Sequence, residues 1–305
     1  MLSFYHICMN SSIFTMNSND TAYPALLRET AVPPSVLFYR GFMPSAGLPL
    51  LAIVGTRKAT NEGKLLAKRI SRECARKGFG IVSGLALGID AAAHEGALAG
   101  DGYTLAVLAN GLDEIYPRGH YGLAMRVLEA GGGIVSEYPK GTPALPHQFL
   151  ERNRIIAGLC IATIVIEAPE RSGAIATARN AAEEGREVFV FPGNPEHPNY
   201  RGCHTLIRKG ARLVGGINDI FEDLNIETEK EENRGLFASN ETMEKDGENE
   251  AQNAILKILA ENKKSLSIDK LSHLTKLEPK IISRELAFLM LREKIEEQNG
   301  VFKIK

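Results

Sequence analysis

The chain has 305 residues, 44% of them hydrophobic, with 36 lysines and arginines against 37 aspartates and glutamates and a formal net charge of −1. That length and apolar content describe a soluble globular protein with one sizeable core and room for a small second unit. The near-neutral balance removes bulk positive charge as a reason to bind nucleic acid, and no apolar run approaches the roughly 20 residues of a membrane span.

The first 22 residues are polar and lack the basic lead and sustained apolar stretch of a secretory signal, so disorder and a cytoplasmic location are expected. Residues 23–50 read as a lead that packs on the core. Cys8, Cys74, Cys160 and Cys203 form no C-x-x-C pair, which predicts free thiols and no metal site. Between 51 and 224 short apolar runs recur: LAIV (51–54), GIVS (80–83), TLAVL (104–108), GIVS (133–136), ATIVIE (162–167) and EVFVF (187–191). Each is bounded by glycine or polar residues, and helix-length segments separate them. Runs that are apolar at successive positions suit strands covered on both faces. The expected fold class is therefore α/β, a Rossmann-like, mainly parallel sheet with helices on both sides.

Residues 225–250 carry 3 basic and 9 acidic side chains and little apolar periodicity, and they read as a linker. Residues 251–305 carry 11 basic and 7 acidic side chains. Ile255, Leu256 and Leu259 mark one short helix, 267–274 a second begun by Ser267 as N-cap, and 278–292 a third; a strand-like NGVFKIK follows. This order predicts a winged-helix-like domain.

Four segments carry chemistry. Gly55-Thr56-Arg57 follows the first core strand, where an open α/β sheet collects ligands, and offers backbone N–H groups, a hydroxyl and a guanidinium to a phosphate. Ser83 and Gly84 end the second strand and offer further donors. Their loop is not a dinucleotide fingerprint, because Ala86 stands where the middle glycine belongs and no acidic residue closes that strand; no cofactor is expected. In FLERNRIIAGL (149–159), helical spacing puts Phe149, Arg152, Ile156 and Leu159 on one stripe, so Arg152 requires either an anion or an internal carboxylate such as Glu137, Glu151 or Glu167. Arg154 lies about 200° round the helix from Arg152 and has a different task. Finally Ser172-Gly173 leads into a helix containing Thr177, with free N–H groups and hydroxyls facing an anion. Asp90 and His94 stand one turn apart, but a carboxylate in a first turn commonly answers the helix dipole. Cys203 and His204 are adjacent, the wrong geometry for a dyad. No nucleophile, base and orienting group come together in the sequence, so no catalytic residue is assigned.

With AIVGTRKAT, IVSGLALGIDAAAHEGAL, VLANGLDEIYP, RNRIIAGL, VIEAPERSGAIATAR, GREVFVFPG and RGCHTLIRKGA in this order, the chain resembles the DprA/Smf family, DNA-processing protein A, over about residues 23–224. The resemblance implies a Rossmann-like domain that binds single-stranded DNA, dimerises and helps load the RecA recombinase in natural transformation. It also implies a basic pocket, mapping to Arg57, Lys140, Phe149, Arg152 and Arg154, with Asn153 in the same helical segment. Many members carry an N-terminal helical domain; here a short lead precedes YPALLRETAVPPSVLFYRG. The competing reading is a nucleotide-binding or nucleoside-monophosphate-hydrolysing enzyme of similar fold. The P-G-G-x-G-T-x-x-E signature of such hydrolases is replaced here by ERSGAIATAR, without the paired glycines or the glutamate.

Overall fold

Nine strands form one sheet in the larger of two compact units, Met1–Thr228 and Glu229–Lys305. The computed structural model describes residues 12–226, 252, 254–259, 265–277, 279–291, 294–298 and 301–304. In chain order the larger unit runs β1 (Phe14–Asn17), α1 (Ala25–Arg28), β2 (Val36–Gly41), β3 (Leu50–Val54), α2 (Asn61–Arg76), β4 (Gly80–Ser83), α3 (Ile89–Ala99) and β5 (Thr104–Val107). It continues through α4 (Tyr121–Glu129), β6 (Gly133–Ser136), α5 (Pro146–Leu159), β7 (Ala162–Val165), α6 (Gly173–Glu183), β8 (Glu187–Val190), α7 (Arg201–Arg208), β9 (Arg212–Leu213) and α8 (Ile217–Asp223).

The sheet order is β1-β2-β6-β5-β4-β3-β7-β8-β9, with every pair from β6 to β9 parallel and β1 and β2 antiparallel at one edge. The six expected strands are all present, and the chain winds outward from β3 in both directions. Alternate residues of each strand serve opposite faces. Leu50, Ala52 and Val54 of β3 join a core with Ile155, Ile156 and Leu159 of α5 and Ala174 and Ala178 of α6. Leu51 and Ile53 join another with Ala67 and Ile70 of α2, Ala93 of α3 and Phe221 of α8. A third cluster sets Ala106 and Ile134 against Leu123, Ala124 and Leu128 of α4. Burial on both faces explains the unbroken apolar runs, each fully buried leucine or isoleucine contributing about 1.5–3 kcal/mol.

The expected disorder of residues 1–22 is corrected from residue 12 onward. Residues 14–17 pair with 36–39 as β1 and β2, Met16 is buried, and the Phe14 and Tyr39 rings lie 5.5 Å apart. The following turn is closed by Asn17 N donating to Asp20 Oδ2 and by Arg28 donating to the carbonyls of Ser18 and Asp20. A four-residue strand carries too little periodicity to stand out in a polar sequence. The lead from residue 23 also does more than pack on the core, since β2 extends the sheet itself. The acidic segment expected as a linker lies, from residue 227 to 250, outside the described residues, whereas Ile226 still packs on the larger core.

In the smaller unit, residues 254–259 are helical, followed by α9 (Ile268–Thr275) and α10 (Pro279–Leu291). Strands β10 (Leu266–Ser267), β11 (Ile295–Gln298) and β12 (Val301–Ile304) make an antiparallel sheet in the order β10-β12-β11. Ser267 caps α9 as expected, accepting from Lys270 N at 3.4 Å. Ile255, Leu271, Ile282, Leu286 and Phe302 share one core.

His94 on α3 is fully buried and is expected to make the larger unit sensitive to acid. Thr104 Oγ1 donates its single proton to the Ile81 carbonyl, so the 2.8 Å contact with His94 Nδ1 requires Nδ1–H as donor. Nε2 is then a buried lone pair with no hydrogen-bond partner among the described residues. Burial, reinforced by the nearby His120 and Arg152, holds the imidazole down to about 3. An unfolded histidine titrates near 6.5, so the unfolded chain binds the extra proton between pH 6.5 and 3 and stability falls as pH falls through that window. Going from pH 7 to 5 should remove about 2 kcal/mol. Denaturant unfolding of the parent and of His94→Leu at both pH values checks this, the variant losing less stability over that interval.

Candidate functional site

The carboxyl ends of β3 and β7 are neighbours from which the chain departs in opposite directions, the switch point where open α/β sheets bind ligands. The loop after β3 carries Gly55, Thr56 and Arg57. Thr56 is buried, with its N–H donating to the Glu167 carbonyl at 2.7 Å and its Oγ1 accepting from Lys58 N at 3.2 Å. The expectation that the Thr56 N–H would cradle a phosphate is thereby corrected, because that donor holds β3 to β7. Arg57 behaves differently. It is exposed, and its guanidinium carbon stands 4.8 Å from the centroid of the Phe149 ring, close enough for cation–π attraction.

Phe149 lies in the first turn of α5, which begins at Pro146, a proline suited to a first helical position. Its ring is half-buried and also touches Tyr116, at 5.5 Å between centroids with the planes tilted by 55°. Tyr116 is 41% exposed and lies in the VLANGLDEIYP motif, but it is not among the expected site residues. Together Arg57, Phe149 and Tyr116 form a platform of one cation and two rings. Such a surface suits a ligand that pairs a flat face with a negative charge.

One turn further, Arg152 is only 4% exposed. Its Nη1 donates to the carbonyls of Gly84, at 3.1 Å, and of Val107. Its guanidinium carbon is 5.9 Å from the Phe149 centroid. The carboxylate that balances it is Asp90, itself 7% exposed and accepting from Gly84 N at 3.1 Å. Burial lowers Arg152 to about 10 against the pull of Asp90, and burial likewise raises Asp90 against the pull of Arg152. None of the internal partners expected for Arg152 is the one found. Asp90 answers a buried cation and not merely a helix dipole, and Arg152 is buried beside Phe149. Gly84 makes this approach possible, since a Cβ there would sit 2.5 Å from Arg152 Nη2 and 2.7 Å from Asp90 Oδ2. Gly88 does the same for the β3 loop, with φ of +83° and a would-be Cβ 2.3 Å from the Thr56 carbonyl.

The other expected residues divide. Ser83 is fully buried and donates to the Ile53 carbonyl at 2.7 Å, which corrects its assignment as a ligand donor. Arg154 points elsewhere, as its position round the helix required, and pairs with Glu137 at 2.5 Å. Asn153 is buried, its Nδ2 donating to the Gly173 carbonyl at 3.0 Å and so joining α5 to the start of α6. Thr177 donates to the same carbonyl at 3.2 Å and is 2% exposed, so its hydroxyl serves its own helix and not an external anion. Ser172 is the N-cap of α6 but accepts no capping bond, and its Oγ is buried without a partner among the described residues. Gly173 and Lys140 are exposed, the latter in the loop after β6.

Cys74, Cys160 and Cys203 are buried free thiols, and burial pushes the Cys203 thiol up to about 11. His204 Nε2 contacts the Gly193 carbonyl at 3.1 Å. Among the described residues no three His, Cys, Asp or Glu side chains are grouped to hold a metal ion, and no helix is long and apolar enough to cross a membrane.

The family profile described as DNA recombination-mediator protein A matches residues 14–225. Protein Smf of Escherichia coli (strain K12) is 44% identical over 202 residues, which are 66% of this chain and 54% of that protein, so the chain spans about half the length of this relative. The X-ray structure of DNA processing protein A from Streptococcus pneumoniae is similar with a TM-score of 0.65 and 37% identity, covering 72% of this chain and 77% of that one. A structure of DNA processing protein A from Helicobacter pylori, described for its single-stranded DNA binding mode, is similar with a TM-score of 0.61 and 31% identity over 70% of this chain and 96% of that one. Motifs spread from β3 to α7, the doubly wound sheet and a profile match across nearly all of the larger unit agree, and the chain belongs to the DNA recombination-mediator protein A family.

Proposed function

We propose that this chain binds single-stranded DNA at the switch-point platform and mediates recombination by passing that DNA to a RecA recombinase, acting as a homodimer in the cytoplasm. The observation that carries the reading is the exposed Arg57 held 4.8 Å over Phe149. A guanidinium meets phosphates and an aromatic ring takes an unpaired base, whereas duplex bases stay stacked on one another. Lys140 and Gly173 are exposed and open to the same anionic strand in this proposal, whereas the buried Ser172 hydroxyl is not. The family description and the subject of the H. pylori structure support the same reading.

Titration of labelled oligo(dT), duplex DNA and nucleoside monophosphates, with product analysis, tests it. Preference for oligo(dT) without turnover is expected. Cleavage of a monophosphate would install the hydrolase reading in its place.

Residues 225–250 serve in this proposal as a linker, and 251–305 as a winged-helix-like module for protein contact or regulation. A chain ending at residue 226 should then keep the oligo(dT) affinity of the full chain, because the platform lies wholly within the larger unit. An inert but folded truncation would make the smaller unit part of the binding surface.

A further inference from the structure

Glu167, the residue that ends the IVIE run after β7, is fully buried, and each of its carboxyl oxygens accepts two hydrogen bonds. Oε1 accepts from Thr60 Oγ1 at 2.5 Å and from the Tyr200 hydroxyl at 3.3 Å. Oε2 accepts from Thr60 N at 3.0 Å and from Asn199 Nδ2 at 2.9 Å. All four donors are neutral, so the group acts here as a four-point clasp rather than as half of an ion pair. Its backbone carbonyl adds a fifth bond, from Thr56 N at 2.7 Å. Asn199 Nδ2 also donates to the Lys58 carbonyl at 3.0 Å. Residues 56 and 60 are therefore tied directly to Glu167, and residue 58 through Asn199. Arg57 sits in the middle of this stitched segment, while its own guanidinium makes no hydrogen bond or ion pair among the described residues. At Gly63 a Cβ would stand 2.4 Å from Oε1, so the first turn of α2 closes over the carboxyl group only because residue 63 has no side chain.

We propose that Glu167 is a positioning residue for single-stranded DNA binding, locking the residue 56–60 loop so that Arg57 is already held over Phe149 when DNA arrives. The inference rests on the function proposed above. A loop ordered in advance does not lose its conformational freedom on binding, and that saving appears as affinity. Glutamine can preserve much of the clasp. Its oxygen can take the Oε2 place facing the two N–H donors, and its amide the Oε1 place, where the Thr60 and Tyr200 hydroxyls can accept.

The test uses the full chain, a fluorescent oligo(dT) and thermal melting, with Glu167→Gln, Glu167→Ala and Asn199→Ala made in the Arg57 and Arg57→Ala backgrounds. Glu167→Ala should weaken binding about tenfold, equivalent to ordering roughly one backbone residue, and Glu167→Gln should recover most of that loss. Asn199→Ala removes one tie at a half-buried position, so it should weaken binding less and melt like the parent. With Arg57 already replaced, neither alanine change should weaken binding further, which a merely structural role would not predict. Parent affinity in folded Glu167→Ala and Asn199→Ala, or full additivity with Arg57→Ala, would overturn the proposal; should Glu167→Ala fail to fold, Asn199→Ala decides alone. If Arg57→Ala binds like the parent, the platform itself is the wrong site and the clasp falls with it. If Arg57→Ala weakens binding and the clasp variants do not, the platform stands and only the role of Glu167 fails.

Discussion

Arg57→Ala is expected to weaken oligo(dT) binding by about tenfold or more while leaving the fold intact. The side chain is exposed and makes no hydrogen bond or ion pair among the described residues, so its removal takes nothing from the core. What it removes is a cation beside an aromatic ring, and a tenfold loss of affinity corresponds to about 1.4 kcal/mol. Loss of one phosphate contact should also flatten the salt dependence by about 0.7 in log–log slope. Phe149→Ala should weaken binding comparably. Because the two groups are 4.8 Å apart and form one surface, the double variant should lose less than the sum of the single losses. Fluorescence anisotropy at several salt concentrations measures all three quantities. Parent affinity in a folded Arg57→Ala protein would remove Arg57 from the interface.

The second large effect is on stability. Arg152→Ala should destabilise the larger unit by about 3–5 kcal/mol, because it leaves Asp90 buried without its cation. It also removes a side chain near Phe149 and the donor that serves the Gly84 and Val107 carbonyls. Combining Arg152→Met with Asp90→Asn removes both charges while keeping much of the volume, and should regain a large part of the loss, since a buried pair replaced by neutral groups is often close to isoenergetic. Denaturant unfolding followed by circular dichroism gives the four corners of the cycle. Equal destabilisation in Arg152→Ala and in the charge-free double variant would show that packing, and not the stranded carboxylate, dominates.

Arg152 and Arg154 show where a sequence reading of the site ends. Helical spacing placed Arg152 on the apolar stripe and Arg154 away from it, and both placements hold, because the 3.6-residue period is a local property of the backbone. Which carboxylate answers each arginine is not local. The charge of Asp90 acts on Arg152 across 62 residues and Glu137 pairs with Arg154 across 17, and strand order alone brings those loops together. The same separation hid Tyr116, which meets Phe149 only because the loops after β5 and β6 share one sheet edge. Donor capacity, too, could be inferred from residue type, but availability could not. Ser83, Thr56 and Thr177 all carry the right atoms, and the fold uses them internally.

By itself the sequence determined the α/β class, six of the nine strands described in the large sheet, the helix carrying Phe149 and Arg152, and the switch-point position of Gly55-Thr56-Arg57. These follow from apolar runs, glycine punctuation and helical periodicity, all set by neighbours within a few residues. Tertiary structure alone decided that β1 and β2 extend the sheet, that Arg152 is buried beside Phe149 while Arg57 is exposed there, and that Glu167 is hydrogen-bonded to the Arg57 loop. Each of those outcomes depends on which distant carbonyl, carboxylate or ring fills the space beside a polar atom. Buried polar groups need partners, and only packing of the whole chain assigns them.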